Sequence, residues 1–471
     1  MQPQIGQKDE VISDVSSKRV TFTDVLRVRE FRTLWLADAQ SAVGDQIGRI
    51  ALSVLVFERT ASAVLTAVTY ALTFLPALIG GAFLSGLADR LPRRRVMVGA
   101  DLARTVLFAG MALPGMPLVV ICAFLILAVL AEAPFTAAES ALMPSILPED
   151  QYVVGTGLRT ITYQVAQLAG FAGGGLAIAL IGPRRGLAVD GLSFLLSAGM
   201  IMWGVRKRPA AQVDASPEHK SSFTTGMRLI FTNPRLRVLL GLAWLAGIYV
   251  VPEGVAAPYA ARVSHGPTAV GLLMAAMPLG TAIGTYLFVR WVSAERRPTW
   301  MGPLGMLAGL PLAVCILLPA LPVSLVLWAL SGLFFCYQVQ VVTEFVRAVP
   351  DSQRGQAVGI ASSGLLAVQG VGVLLGGWIA SAVGVGWSVG GAGLAGMALA
   401  ALLSVLWVRA RRSSAAVAES VEVESPDVEA APVEAGPDVS SSEVHRGPWP
   451  GSAERVGEAD RPAGGAARHR A

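Results

Sequence analysis

The chain has 471 residues, 54% of them hydrophobic and only 15% charged, and its mean hydropathy is +0.59. A water-soluble fold needs a charged surface that this composition does not supply, so the sequence describes a polytopic membrane protein. The formal charge of +5 does not indicate nucleic acid, because the basic residues fall in short clusters between apolar runs and not along one soluble face.

Residues 1–32 carry Lys8, Asp9, Glu10, Lys18, Arg19 and Arg27 without an apolar core. That predicts a cytoplasmic N-terminal segment and no cleavable signal peptide. A spanning helix takes about 20 mostly apolar residues. Twelve such runs follow, near 34–57, 63–87, 96–113, 118–142, 153–181, 187–205, 238–259, 268–289, 301–318, 323–345, 357–383 and 387–408. The links after even-numbered spans hold Arg90 and Arg93–Arg95, then Arg206, Lys207, Arg208 and Lys220, while Arg296 and Arg297 follow span eight and Arg347 and Arg354 span ten. The opposite links Pro114–Pro117, Pro319–Pro322 and Gly384–Gly386 carry no charge. Despite Arg59, Arg184, Arg185 and Arg262, the balance places both ends of the chain in the cytoplasm, with the bacterial inner membrane as the setting.

The predicted fold is all-α, twelve transmembrane helices in two six-helix pseudo-repeats. The bundles take residues 33–205 and 238–408. Between them, 206–237 reads as a cytoplasmic linker with an amphipathic helix through Phe223, Met227, Leu229, Ile230 and Phe231. Residues 409–471 are rich in Pro, Gly, Ser, Ala and Glu, which predicts a disordered cytoplasmic tail. Cys122, Cys315 and Cys336 lie inside apolar runs with no CxxC spacing, so neither a disulfide framework nor a metal site is indicated.

One offset, 202 residues, aligns unusual features of the two halves without gaps. It sets Gln167, Gly170, Gly174, Gly175 and Gly182 on Gln369, Gly372, Gly376, Gly377 and Gly384, Pro76 on Pro278, and Arg94 and Arg95 on Arg296 and Arg297. Parallel repeats of this kind put a substrate path near the midplane between the halves. The paired glycine groups lie in apolar runs with no preceding strand, so they read as helix-packing positions and not as a phosphate cradle.

Acids inside spans are costly and are functional candidates by default. Asp45 lies mid-span one, with Arg49 one turn away as an ion-pair partner. Glu132 lies mid-span four with no basic residue in its own span. It reads either as a proton carrier or as an ion-pair partner of Arg104 or Arg159. Glu139, two turns on, is a second relay step, and Glu253 and Glu344 are the acids of spans seven and ten.

Between spans two and three stands "GLADRLPRRR", and Gly86, Leu87, Ala88, Asp89, Arg90, Pro92, Arg93, Arg94 and Arg95 resemble the loop signature of the major facilitator superfamily. "FRTLWLADAQSAVGDQIGRIAL", "DLAR", "PFTAAESALMPSILPED" and "GLSFLLSA" are similar to its branch of macrolide and siderophore exporters. In the second half the loop signature is reduced to "RWVSAERRP". The resemblance implies that spans one, four, seven and ten line the cavity. It also implies that the loop docks on the start of span eleven near Ala357, latching the cytoplasmic side shut, with Asp101 and Arg104 supporting that latch. On the residues alone, the loop reads equally as a positive-inside anchor.

These readings converge on a secondary transporter working by alternating access: a proton-coupled exporter of an amphipathic small molecule, functional as a monomer in the bilayer, with the proton gradient and no cofactor as its energy source. An importer or a non-transporting membrane sensor is the alternative. An enzyme is disfavoured by the lack of HExxH, GxSxG or clustered His and Cys, and a primary pump by the lack of GxxxxGK[ST].

Overall fold

The computed structural model describes residues 20–84, 87–209, 223–264, 266–350 and 353–423; the side chains at 82, 88, 89, 223–225 and 413–423 are not among those described. Among the described residues there is no strand. A short helix Phe22–Arg27 precedes span one, Arg29–Thr60. Span two is the pair Ala63–Ala71 and Leu75–Phe83. Spans three to six are Arg93–Ala112, Leu118–Leu142, Glu149–Ile181 and Pro183–Gly204. Span eight is Pro267–Trp291, span nine Arg297–Val314, span ten Leu321–Phe335 with Tyr337–Ala348, and span eleven Arg354–Val383. Span seven is broken into Pro234–Trp244, Ala246–Tyr249, Val251–Gly254 and Ala256–Val263. Pro252 and Pro258 each remove a backbone donor there.

Local chemistry sets the ends of these helices. The Ser62 hydroxyl accepts from the Leu65 amide at 3.2 Å, and the Asn233 side chain from the Arg235 amide at 2.9 Å. Proline opens spans six, seven and eight, where its missing N–H has no helical partner to lose. Gly182 and Gly384, equivalent under the 202-residue offset, have φ of +82° and +103°. Only glycine adopts these angles without strain, and they let spans five and eleven turn straight into spans six and twelve.

Ten of the twelve spans are apolar and long enough to cross a membrane by composition. Spans one and three fall outside that group because of their charges: Asp38, Asp45 and Arg49 in one, and Arg93–Arg95, Asp101 and Arg104 in the other. Asp38, Asp45, Arg49 and Arg104 carry their charge into the bundle, as the site geometry shows below, while Arg93–Arg95 lie at the end of span three.

Within lipid, helices gain little from burying apolar surface against each other, so association relies on close packing and interhelical hydrogen bonds. All six glycines of the paired groups face another helix. Gly170 and Gly174 pack on span one at Gln46 and Ile47, while Gly372 and Gly376 pack on span seven at Gly247 and Val251. The remaining two join the halves. A Cβ on Gly175 would lie 2.7 Å from the Gly271 Cα of span eight, and one on Gly377 would collide with Ala67 of span two. These symmetric contacts lie at the end of the bundle opposite the arginine-rich links, called here the basic end.

Two expectations are corrected. The last helix is Val385–Val423, so the first part of the expected disordered tail is helical; "RARRSSAAVAESVEV" is built largely of residues that tolerate a helix. Residues 424–471 lie outside the described residues. The linker helix, Phe223–Thr232, does not rest on a membrane face alone: Ile230 is fully buried, and Gly226 sits against Gln356 and Ile360 at the start of span eleven.

Candidate transport site

A cavity of about 380 Å³ opens in the first half, lined by Asp38 and Asp45 of span one, Arg104 of span three, Glu132 and Glu139 of span four, and Thr156, Arg159, Thr160 and Tyr163 of span five. A deeper pocket of about 80 Å³ continues from it to Arg49, Phe108 and Asp190. Thr156, Thr160, Tyr163 and Gln164 are exposed although they lie within span five, so the face that closes on span eight at Gly175 stands open toward the basic end.

Two arginines are held firmly. Arg104 pairs with Asp45 at 3.0 Å, and its guanidinium lies 3.7 Å from the centroid of the Phe194 ring of span six. Arg159 donates to Asp38 at 3.0 Å and pairs with Glu139 at 2.5 Å. The ring face under Arg104 adds a cation–π attraction to its ion pair.

The expected Asp45–Arg49 pair is not made. The partner of Asp45 comes from span three, where the aromatic support is; Arg49 points deeper, and its charge acts on Tyr70, Tyr163, Asp45 and Glu132. Arg104 lines the cavity, while Asp101 is buried outside the cavity lining. The arginine that serves the cavity is thus more than two turns along span three from the basic loop.

Glu132 is exposed in the cavity and makes no hydrogen bond or ion pair with any described residue. Both basic partners weighed for it are taken, Arg104 by Asp45 and Arg159 by Asp38 and Glu139. The expected relay partner Glu139 is buried and bound to Arg159.

The acids of the second half lie apart. Glu253 accepts a hydrogen bond from the Tyr70 hydroxyl of span two at 2.7 Å. It lines a pocket of about 160 Å³ with Tyr249, Gln164, Gln167 and Gln369, so the two glutamines equated by the repeat face one space. Glu344 does not line the cavity as expected: it is buried at the basic end, paired with Arg235 at 3.0 Å and Arg347 at 3.8 Å, and it accepts from Gln340 at 3.1 Å. Span ten places it beside the N-terminal turn of span seven, where it ties two helices.

Asp190 is the acid the sequence reading passed over. It lies inside the apolar run at 187–205, so the rule that singles out Asp45 applies to it as well. It is fully buried, and a Cβ on Gly48 would overlap its carboxylate. Gly44 and Gly48 of span one are the signal, because their missing side chains make the room for Asp190 and Ser193.

The arginine loop is docked on its own half. Arg93 donates to the Ala141 carbonyl of span four at 2.7 Å, Arg94 donates to the Met202 carbonyl of span six, and Arg90 is exposed. Gly86 and the Asp89 side chain lie outside the described residues. The start of span eleven is instead covered by the linker helix. A contact that locks the basic end shut is not expected in a conformation with that end open.

The sequence profile of the Major Facilitator Superfamily matches residues 34–260 and 253–436. The chain belongs to that superfamily. A multidrug efflux pump named Tap from Mycobacterium tuberculosis is 30% identical over 376 residues, covering 74% of this chain and 86% of the relative. Macrolide efflux protein A of Streptococcus pyogenes is 30% identical over 145 residues, 29% of this chain and 36% of that protein. Among solved structures, a peptide transporter POT in complex with sulfate superposes with a TM-score of 0.65 at 15% identity, covering 84% of this chain and 97% of that one. A bacterial homologue of the human lysosomal transporter Spinster, inward-facing and occupied, gives 0.64 at 14%, covering 81% and 96%. These two likenesses establish the fold. As a superfamily member, the chain is a multi-pass membrane transporter.

Proposed function

We propose that this superfamily member is a proton-coupled exporter of amphipathic small molecules, working as a monomer with its basic end in the cytoplasm. The observation that carries the coupling is the placement of Glu132. It is a mid-span acid open to the cavity and free of any ion pair, while Arg104 and Arg159 are taken by other carboxylates and Arg49, which lines the deeper pocket with it, acts on it without forming an ion pair. An acid that must lose and regain a proton in each cycle cannot be locked to an arginine. Export is supported by the names of the relatives, both efflux proteins. Sidedness follows from the positive-inside rule applied to the arginine-rich links, and it makes the conformation described here open to the cytoplasm.

The test is uptake of a lipophilic cationic dye, and separately of a macrolide, into inside-out vesicles containing the protein and energised by an imposed pH gradient. The expected result is accumulation that collapses when the gradient is dissipated. Accumulation of neither compound, or accumulation indifferent to the gradient, would overturn the reading.

A further inference from the structure

A cavity larger than the central one lies elsewhere in the first half. It measures about 620 Å³ and lies at the basic end between spans three and six, with Arg94, Arg95, Lys207 and Arg208 around its mouth and no acid in its lining. Arg208 is neutralised by Glu30, at 2.8 Å, and Arg94 is partly used by the Met202 carbonyl. Arg95 and Lys207 are exposed and form no ion pair with any described residue. The first turn of span three, Arg93–Arg95, also contains no acid. Two cations therefore face one space with no acid among the described residues of its lining.

The walls are of the other kind. Toward the membrane interior the cavity is lined by Val98, Gly99 and Leu102 of span three and Met202 of span six. Leu102 is 44% exposed, Val106 one turn on is 70% exposed, and Trp203 beside the mouth is 83% exposed. A Cβ at Gly99 or at Gly199 would meet nothing within 4 Å, so the trough between the helices stays open past its mouth. The space has a cationic entrance and an apolar run behind it.

From this charge and shape we propose that the groove between spans three and six is a binding site for an anionic phospholipid. The phosphodiester lies between Arg95 and Lys207, and an acyl chain lies along Gly99, Leu102 and Val106. Basic pockets between spans at a membrane surface attract anionic headgroups by about 1 kcal/mol per cation, and the trough adds apolar contact that a free anion cannot use. The occupant is a lipid and not a transported solute, because the groove faces outward from the bundle, away from Asp45, Glu132 and the central cavity. Because Arg94 reaches span six from the first turn of span three, the lipid also braces this pair of helices.

Native mass spectrometry of the full-length protein tests this, with phosphatidylglycerol and phosphatidylcholine as probes. The wild type should retain one phosphatidylglycerol through detergent washing and prefer it to phosphatidylcholine about tenfold. The double variant Arg95→Gln, Lys207→Gln should lose that preference, and the charge-keeping pair Arg95→Lys, Lys207→Arg should restore it. Gly99→Phe, which fills the trough and leaves every cation in place, should weaken retention to a similar degree. Unchanged phosphatidylglycerol retention in the Gln pair would overturn the site. Displacement of the lipid by glycerophosphoglycerol at equal concentration, or normal retention in Gly99→Phe, would reduce it to a bare anion site and overturn the lipid assignment.

Discussion

Tyr70 of the first half donates a 2.7 Å hydrogen bond to the Glu253 carboxylate of the second half, and it is the one side-chain hydrogen bond between the halves among the described residues. It lies beside the contacts that close the end opposite the basic loops. Glu253 also sits on the broken stretch of span seven, so the helix that supplies the acceptor is itself irregular.

Tyr70→Phe keeps the ring and removes the donor. An interhelical hydrogen bond in a membrane protein contributes about 0.6 kcal/mol on average, so the balance between the two access states should shift about threefold toward opening of that end. Spin labels at Glu58→Cys and Leu317→Cys, on a background without the three native cysteines, would report it as a larger long-distance population. An unchanged distance distribution would show that the glycine contacts alone hold this end closed.

The Asp45–Arg104 pair predicts an asymmetric mutational response. Asp45→Asn strands Arg104, whose side chain is only 9% exposed, and an uncompensated buried charge costs up to about 3–5 kcal/mol. Asp45 is itself 28% exposed, so the loss should fall below that range. The double variant Asp45→Asn, Arg104→Gln should recover most of the lost melting temperature of the detergent-purified protein, whereas Asp45→Asn, Arg49→Gln should not. Recovery by the Arg49 combination would reinstate the intrahelical pair.

That contrast shows what a sequence makes legible. The twelve helices, the links between them and the 202-residue repeat are visible because apolar runs and glycine spacing are local properties. Asp45 and Glu132 are visible because an acid in an apolar run is conspicuous. Which arginine meets Asp45 is set by the approach of span three to span one and by the Phe194 ring, neither of which is local. The same limit hides Glu344: its position in span ten suggests the cavity, but the N-terminal turn of span seven supplies Arg235 and turns it into a tie between helices. Asp190 was legible by the same rule as Asp45, and the glycines that make its room, Gly44 and Gly48, sit in plain view in span one.

Glu30 and Arg208 close the first bundle from outside its apolar runs, joining the first turn of the span-one helix to the segment that follows span six at 2.8 Å. Burial pushes the Glu30 carboxyl upward, but hydrogen bonds from Arg208 and the Arg206 amide, with the charges of both arginines, outweigh it and hold the group below its ordinary value of 4.5. A carboxyl depressed on folding stabilises above its unfolded value and loses that stabilisation as pH falls through the folded one. Wild type should therefore melt above Glu30→Gln at about pH 7, by the equivalent of about 0.5–1 kcal/mol. The gap should narrow below about pH 4.5. A gap independent of pH would mean that the ion pair contributes nothing and that the substitution acts through packing.

The last prediction separates carrying a proton from holding the cavity together. Glu132 stands in the cavity within the field of Asp45, Arg49 and Arg104, yet it is tied to none of them, whereas Glu139 is bound to Arg159. Glu132→Gln keeps size and polarity and removes only the capacity to exchange a proton. Because no described partner is left stranded, the variant should fold and melt like wild type and should still exchange substrate down its gradient. In proteoliposomes with an imposed pH gradient it should lose concentrative transport, by at least the tenfold that about 1.4 kcal/mol of coupling represents. Glu139→Gln should behave in the opposite way, losing stability first because it leaves Arg159 with Asp38 alone. If Glu132→Gln still concentrates substrate against its gradient while Glu139→Gln folds normally and does not, the proton passes through the bound acid, and the open one serves to attract cationic substrate.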